Sequence, residues 1–266
     1  MLIESTVHLP FGLAILQDLF HPPTGDELFR IIVRWFHFAA GITWIGLLYF
    51  FNLINVPFQK TIDAPTKKAV NPELLGRSLW WFRWGAVVTV LAGLTYYAMF
   101  ILKADVTNAN NAGIKANVWV ILLVWLLIPV VVFIIEYFIL MKGLIGDGRV
   151  LAVVIAILVI LMSAAILWWL SGQLTGTVAG RPDSYASNKT YSIGIGGALG
   201  IIMMLNVWGI IWPAQKRILA ATVEGTPAPP ELARRAFLAS RANAWLSLPM
   251  LFFMGTSHGD YIIFGK

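Results

Sequence analysis

Residues 117–141 read NVWVILLVWLLIPVVVFIIEYFILM, and the only charged side chain in this stretch is Glu136. A helix of about 20 apolar residues crosses the roughly 30 Å hydrocarbon core of a bilayer. Similar stretches recur along the chain, and we predict six spans at 28–53, 80–102, 117–141, 150–170, 193–213 and 244–264. The sequence therefore predicts an all-α fold, a polytopic membrane helix bundle.

The composition of the whole chain agrees with this fold class. Of the 266 residues, 59% are hydrophobic and 12% are charged, and the mean hydropathy is +0.78. Soluble domains carry about 25% charged residues. We interpret residues 1–266 as a single integral membrane domain. The N-terminal segment, 1–27, contains an apolar stretch too short to span, which fits a position along the membrane interface, and no removable signal peptide is expected.

The chain contains no cysteine. This excludes disulfides, cysteine-ligated iron–sulfur clusters and the CxxCH attachment of c-type haem within these residues. A cofactor would need ligands from His, Met, Asp, Glu or the backbone. The net charge is +6, but the loops are short, so we interpret the charge as a topology signal and expect no nucleic-acid partner.

The basic residues are distributed unequally between the two sides of the predicted bundle. With six spans, both termini share a side with loops 103–116 and 171–192. Of the 19 Lys and Arg residues, seven fall on this side and twelve on the other. Because cytoplasmic loops carry the excess of basic residues, we predict that both termini face outward. The membrane that we expect is the bacterial inner (cytoplasmic) membrane.

Two of the four histidines, His37 and His258, fall in the first and last predicted spans. Each lies about six residues from the outer end of its span, roughly 9 Å along the axis. An even number of spans therefore places both at similar depth in one leaflet. We interpret them as ligands of a b-type haem or a metal ion, because imidazoles are common axial ligands. The alternatives are a proton relay, a quinone site or hydrogen bonds to neighbouring helices.

Residues near the two histidines suit a flat ligand. Gly41 and Trp44 share the helix face of His37. We expect Gly41 to leave room for a macrocycle and Trp44 to stack on it. Met254 lies four residues before His258 and is an alternative axial ligand, although a methionine at this spacing is equally typical of ordinary packing.

Three further polar residues fall within or near the spans. Arg34 lies one turn nearer the outer surface than His37, so it either snorkels to the interface or pairs with Asp260 or a haem propionate. We expect Glu136, about a turn from the cytoplasmic end of its span, to snorkel as well. Asn206 is more central and is expected to hydrogen-bond between helices.

Three segments resemble the membrane domain at the N-terminus of bacterial membrane-bound urate oxidases: RWFHFAAGITWIG (34–46), NVWGIIWPAQK (206–216) and ASRANAWLSLPMLFFMGTSH (239–258). The resemblance covers about residues 28–258. It implies an oxidase linked to a respiratory chain, and its histidines map to His37 and His258. In that family a cytochrome c domain commonly follows, which implies electron transfer at the periplasmic face.

We therefore expect a membrane redox subunit that binds haem b and works with a separate periplasmic cytochrome or a larger complex at its outer face. The resemblance implies that, if the protein is an enzyme, it is a urate oxidase-like oxidoreductase that does not act alone. The alternative is a non-redox accessory subunit that packs around a respiratory or photosynthetic membrane complex. A transporter is disfavoured, because the sequence shows neither inverted repeats nor central broken helices.

Overall fold

The computed structural model describes residues 22–178, 180–258 and 263–264. These residues form six helices, which are α1 Gly25–Phe58, α2 Ala64–Asn111, α3 Val118–Lys142, α4 Gly148–Leu174, α5 Asn188–Glu224 and α6 Pro230–Thr256. An antiparallel hairpin of β1 Thr175–Val178 and β2 Arg181–Ser184 joins α4 to α5. The predicted all-α fold class is confirmed.

Among the described residues, the five helices α1 to α5 are long and apolar enough to cross a membrane. The sixth, α6, has 27 residues, but residues 231–241 carry one glutamate and three arginines, which lower its hydropathy. Six spans and outward-facing termini stay predictions. Residues 1–21, including most of the predicted interfacial segment, and Asp260, the predicted partner of Arg34, lie outside the described residues.

Three helices contain a π-helical turn, at Phe50–Asn55 in α1, Tyr97–Leu102 in α2 and Val207–Ile211 in α5. Such a turn accommodates an extra residue without ending the helix. Helices α2 and α5 extend beyond the predicted spans that ended at 102 and 213, since α2 continues to Asn111 and α5 continues to Glu224, and the span bounds stay predictions. Likewise, α6 begins 14 residues before the predicted 244, at Pro230.

Helix α5 is the centre of the bundle and packs against α2, α3, α4 and α6. In its apolar stretch 72% of the residues are buried, compared with 11% in α1. Small residues let neighbouring helices approach closely. The first half of α5 supplies them as Gly194, Gly196, Gly197 and Gly200. A β-carbon at Gly197 would lie 3.3 Å from the ring of Trp125, which shows how closely α3 approaches.

The end of α6 is tied to the start of α5 by the side chain of Asn188. Its amide nitrogen donates to the carbonyl oxygen of Thr256 at 2.9 Å. Its amide oxygen accepts the backbone N–H groups of Ile263 and Phe264, each at 3.1 Å. These hydrogen bonds fix the residues that precede and follow His258 in the chain.

Candidate functional site

The imidazole of His37 is half-buried on α1 and is directed toward α2. Its Nδ1 lies 2.8 Å from the carbonyl oxygen of Thr89. A carbonyl oxygen accepts, so Nδ1 carries the hydrogen. A β-carbon at Gly93, one turn further along α2, would lie 2.8 Å from Nδ1 and Cε1 of the ring. The imidazole therefore occupies space that only a glycine leaves open.

The imidazole of His258 is also half-buried, just beyond the end of α6. Its Nδ1 lies 3.1 Å from the carbonyl oxygen of Met254 and 2.8 Å from the hydroxyl oxygen of Ser257. The Ser257 hydroxyl is itself 2.7 Å from the Met254 carbonyl and donates to it. Nδ1 of His258 therefore carries the hydrogen, as Nδ1 of His37 does.

The two histidines thus share one arrangement. In each, Nδ1 is engaged by a backbone carbonyl, and Nε2 has no hydrogen-bond partner among the described residues. Histidines that ligate a metal or haem iron commonly donate the other ring N–H to a carbonyl, which fixes the tautomer and directs the free nitrogen at the metal.

The number of side chains available as ligands indicates whether His37 and His258 suit a metal ion or a haem. The described part of the chain contains no cluster of three or more His, Cys, Asp or Glu side chains. A zinc site takes three or four protein ligands. Haem iron instead takes four nitrogens from the macrocycle and needs only axial ligands from the protein. The two Nε2 atoms therefore fit haem better than a bare metal ion.

Gly41 and Trp44 do not line an open space beside His37. A β-carbon at Gly41 would lie 3.6 Å from the methyl group of Thr89, so that position faces α2 and the room predicted for a macrocycle is taken. Trp44 is 1% exposed and lies where α1 crosses Gly85. Both residues pack α1 onto α2, and their contact with a macrocycle stays a prediction.

The side chain of Met254 packs against α5. Its methyl carbon lies 3.2 Å from the place where Gly196 would carry a β-carbon. Met254 therefore approaches His258 through its carbonyl group, and its sulfur belongs to the interface between α5 and α6.

Two arginines precede His37 on α1, toward the N-terminal end of the helix. Arg34 is exposed, as snorkelling requires, and its guanidinium lies 5.7 Å from the ring centre of Phe38. Arg30 lies 5.7 Å from the ring centre of Tyr96 and donates from Nε to its hydroxyl at 3.4 Å. Arg30, Arg34 and Tyr96 line one open cleft of about 430 Å³. The carboxylate of Glu27 lines the same cleft, so two guanidinium groups and one carboxylate face it, on the N-terminal side of His37.

The family comparison bears on this geometry. The profile described as urate oxidase N-terminal matches residues 61–264. The chain belongs to this family. The matched range takes in α2 to α6, with Thr89, Gly93 and His258, whereas α1 and His37 precede it. No curated protein and no solved structure matches the chain.

In this urate oxidase N-terminal family member, sequence reasoning missed Thr89 and Gly93. Thr and Gly are ordinary residues of membrane helices, so neither stands out in an apolar stretch. Their spacing of four does place them on one face of α2. The four-residue spacing shows that the two residues share a helix face, but it does not predict which neighbouring helix packs against that face.

Proposed function

We propose that this protein is a membrane redox subunit that holds a b-type haem between His37 and His258. The observation that carries the proposal is the matched state of the two imidazoles, with Nδ1 bound to a backbone carbonyl and Nε2 free. A bound haem would supply one-electron transfer. The chain's part is to present two oriented imidazole nitrogens in the half of the bundle that contains the β1–β2 hairpin.

Backbone carbonyls on α2 and α6 position the two ligands. The Thr89 and Met254 oxygens hold the hydrogen on Nδ1 and restrict ring rotation, which also raises the basicity of Nε2. Gly93 gives the His37 ring its place against α2. Since the sulfur of Met254 packs on α5, the two-histidine arrangement is favoured over the His/Met alternative.

Arg34 is proposed to bind a haem propionate. It lies three residues before His37, roughly one helical turn outward, and no acidic side chain forms an ion pair with it among the described residues. A guanidinium can hold a carboxylate through two parallel hydrogen bonds. Arg30, about one further turn toward the N-terminus of α1, lines the same cleft, together with Glu27.

The electron carrier that completes the reaction lies outside the 266 residues, because a chain without cysteine has no CxxCH site for c-type haem. The family description refers to urate oxidase, which supports an oxidase-linked role in a bacterial inner membrane. We propose that the carrier docks at the face formed by the hairpin and the end of α2 near Asn111. The positive-inside distribution of basic residues supports an outward position for that face.

The proposal is tested by the reduced-minus-oxidised absorption spectrum of the chain, expressed with ample haem and purified in mild detergent. We expect the bands of a b-type haem, and acid–acetone extraction should remove the pigment completely because the attachment is not covalent. A colourless protein after haem-replete expression would contradict the proposal and favour the non-redox accessory subunit.

A further inference from the structure

Glu136 is the most deeply buried acidic side chain of the membrane helices in the described part of the chain, at 2% exposure. The snorkelling predicted from the sequence is therefore wrong. Glu136 lies near the end of α3 that is remote from the hairpin. We propose that it is a proton-binding site, which holds a proton at neutral pH and donates a hydrogen bond to Oδ1 of Asn206.

The hydrogen bonds around Glu136 fix how its neighbours are oriented. Asn243 donates from Nδ2 to the carbonyl oxygen of Met203 at 2.9 Å, so its Oδ1 is left to accept. Nδ2 of Asn206 donates to that oxygen at 3.0 Å and to Oε1 of Glu136 at 3.1 Å. The amide nitrogen of Asn206 therefore has both of its hydrogens in use, and an exchanged assignment of O and N would break the bond to Asn243.

One acceptor in this cluster has no donor. Asn206 is 0% exposed, and its Oδ1 has no hydrogen-bond partner. Buried polar atoms without a partner are rare and call for an explanation. A proton on Glu136 creates a hydroxyl donor beside the amide that carries this oxygen. Protonation therefore explains the unpaired acceptor.

Among the described residues, no basic side chain forms an ion pair with Glu136. Within the described residues the ion pair that forms is between Arg77 and Glu73. Two arginines on the neighbouring helices α2 and α6 face aromatic rings instead. Arg83 lies 3.8 Å from the ring centre of Trp212, and Arg241 lies 5.3 Å from that of Phe237.

The other charged side chains in this half of α3 to α6 lie toward the helix ends, exposed or half-buried, and do not pair with Glu136; they are Lys142, Arg149, Lys216, Arg217, Glu224, Glu231, Arg234 and Arg235. Tyr97, on the π-helical turn of α2, donates its hydroxyl to the carbonyl of Thr190 in the opposite half. An ionised carboxylate without a partner is so costly in an apolar interior that it takes up a proton instead.

The backbone beside the cluster has a second unusual feature. The π-helical turn Val207–Ile211 begins at the residue after Asn206. Single π-helical turns inside α-helices are frequent at functional sites. Ionisable groups inside membranes also mark proton relays. The proton site does not depend on haem binding, so it stands or fails separately from the proposed redox function.

Infrared spectroscopy of the purified full chain at about pH 7 tests the site, since an exposed glutamate is ionised well below this pH, with a pKa of about 4.3. We expect a carboxylic-acid C=O stretch that is lost in Glu136→Gln and retained in the control Glu231→Gln, an exposed acid on α6. The band should shift in D₂O. The proposal would be overturned if the unmodified protein lacked the carboxylic-acid band and Glu136→Gln instead lost a carboxylate band.

Thermal unfolding of the same variants gives a second test. Glutamine is a neutral isostere of the protonated acid, and its NH₂ group can donate to Oδ1 of Asn206. Glu136→Gln should therefore fold with an unchanged midpoint, whereas Glu136→Leu should show a lower one because it leaves the Asn206 amide without an acceptor. Failure of Glu136→Gln to fold would indicate that the negative charge is required and would contradict the proposal.

Discussion

Replacement of Gly93 by alanine tests the contact that places His37. The added β-carbon would lie 2.8 Å from Nδ1 and Cε1 of the imidazole, whereas ordinary contacts begin at 3.4 Å. The ring must therefore move by about 0.6 Å or more relative to α2, so the 2.8 Å bond from Nδ1 to the Thr89 carbonyl is strained or lost.

We expect this substitution to lower the affinity for haem without lowering the stability of the fold. A lost hydrogen bond of this kind costs about 1 kcal/mol, and removing the partner that orients a metal-ligating histidine lowers metal affinity by roughly 10–100-fold. Alanine favours a helix over glycine by up to about 1 kcal/mol. We therefore expect Gly93→Ala to lose haem while its thermal midpoint in the haem-free form changes little.

The assay is the ratio of haem to protein after purification, measured over a series of added haem concentrations. Gly41→Ala is the matched control, because its β-carbon would meet the Thr89 methyl at an ordinary 3.6 Å, and it should keep its haem. Full haem occupancy and an unchanged spectrum in Gly93→Ala would refute the reasoning that the His37–Thr89 contact positions a ligand.

Three other predictions concern topology and stability. Because the chain has no cysteine, single cysteines can be introduced and labelled with a membrane-impermeant maleimide. The reagent should label Arg181→Cys in intact cells and should label Thr226→Cys only after the membrane is opened. The reverse pattern would contradict the predicted topology. Asn188→Ala removes three hydrogen bonds at the end of α6, so we expect a loss of about 2 kcal/mol in unfolding free energy, and an unchanged midpoint would contradict that account. Asp63 caps α2, and hydrogen bonds from Thr66 lower its pKa below the ordinary 3.8. The stabilisation of the folded state by this cap should therefore be fully present above pH 3.8 and should be lost as the pH falls through the lower pKa of the folded state. In acid, the unfolding free energies of Asp63→Ala and the unmodified chain should therefore become equal.

The sequence predicted the helices well, because an apolar stretch of sufficient length has few alternatives in a bilayer. It misplaced helix ends where a π-helical turn carries the helix on, as at Tyr97–Leu102 and Val207–Ile211. Hydropathy does not register such turns, and the helices continue beyond them into polar residues, such as Lys103 and Asp105 in α2 and Gln215 and Lys216 in α5. The continuation of α2 to Asn111 depends on packing that the local pattern does not encode.

The site was predictable only in part, for a related reason. The even helix number placed His37 and His258 in one half of the bundle, and the structure shows that Nδ1 of each ring meets a backbone carbonyl. The partner of each ring depends on helix rotation and adjacency, so Thr89 and Gly93 could not be identified from spacing. Glu136 shows the same limit, because its distance from a helix end suggested snorkelling, whereas its position against Asn206 keeps it buried.

The central claim is that His37 and His258 ligate one haem, and haem content in a double-variant cycle tests it most directly. His37→Ala, His258→Ala and the double variant would be compared by haem-to-protein ratio, with His8→Ala and His21→Ala as controls. Two ligands of one iron act as a unit, so each single variant should lose as much haem as the double variant, and the controls should keep theirs. Full haem content in either single variant would contradict the account.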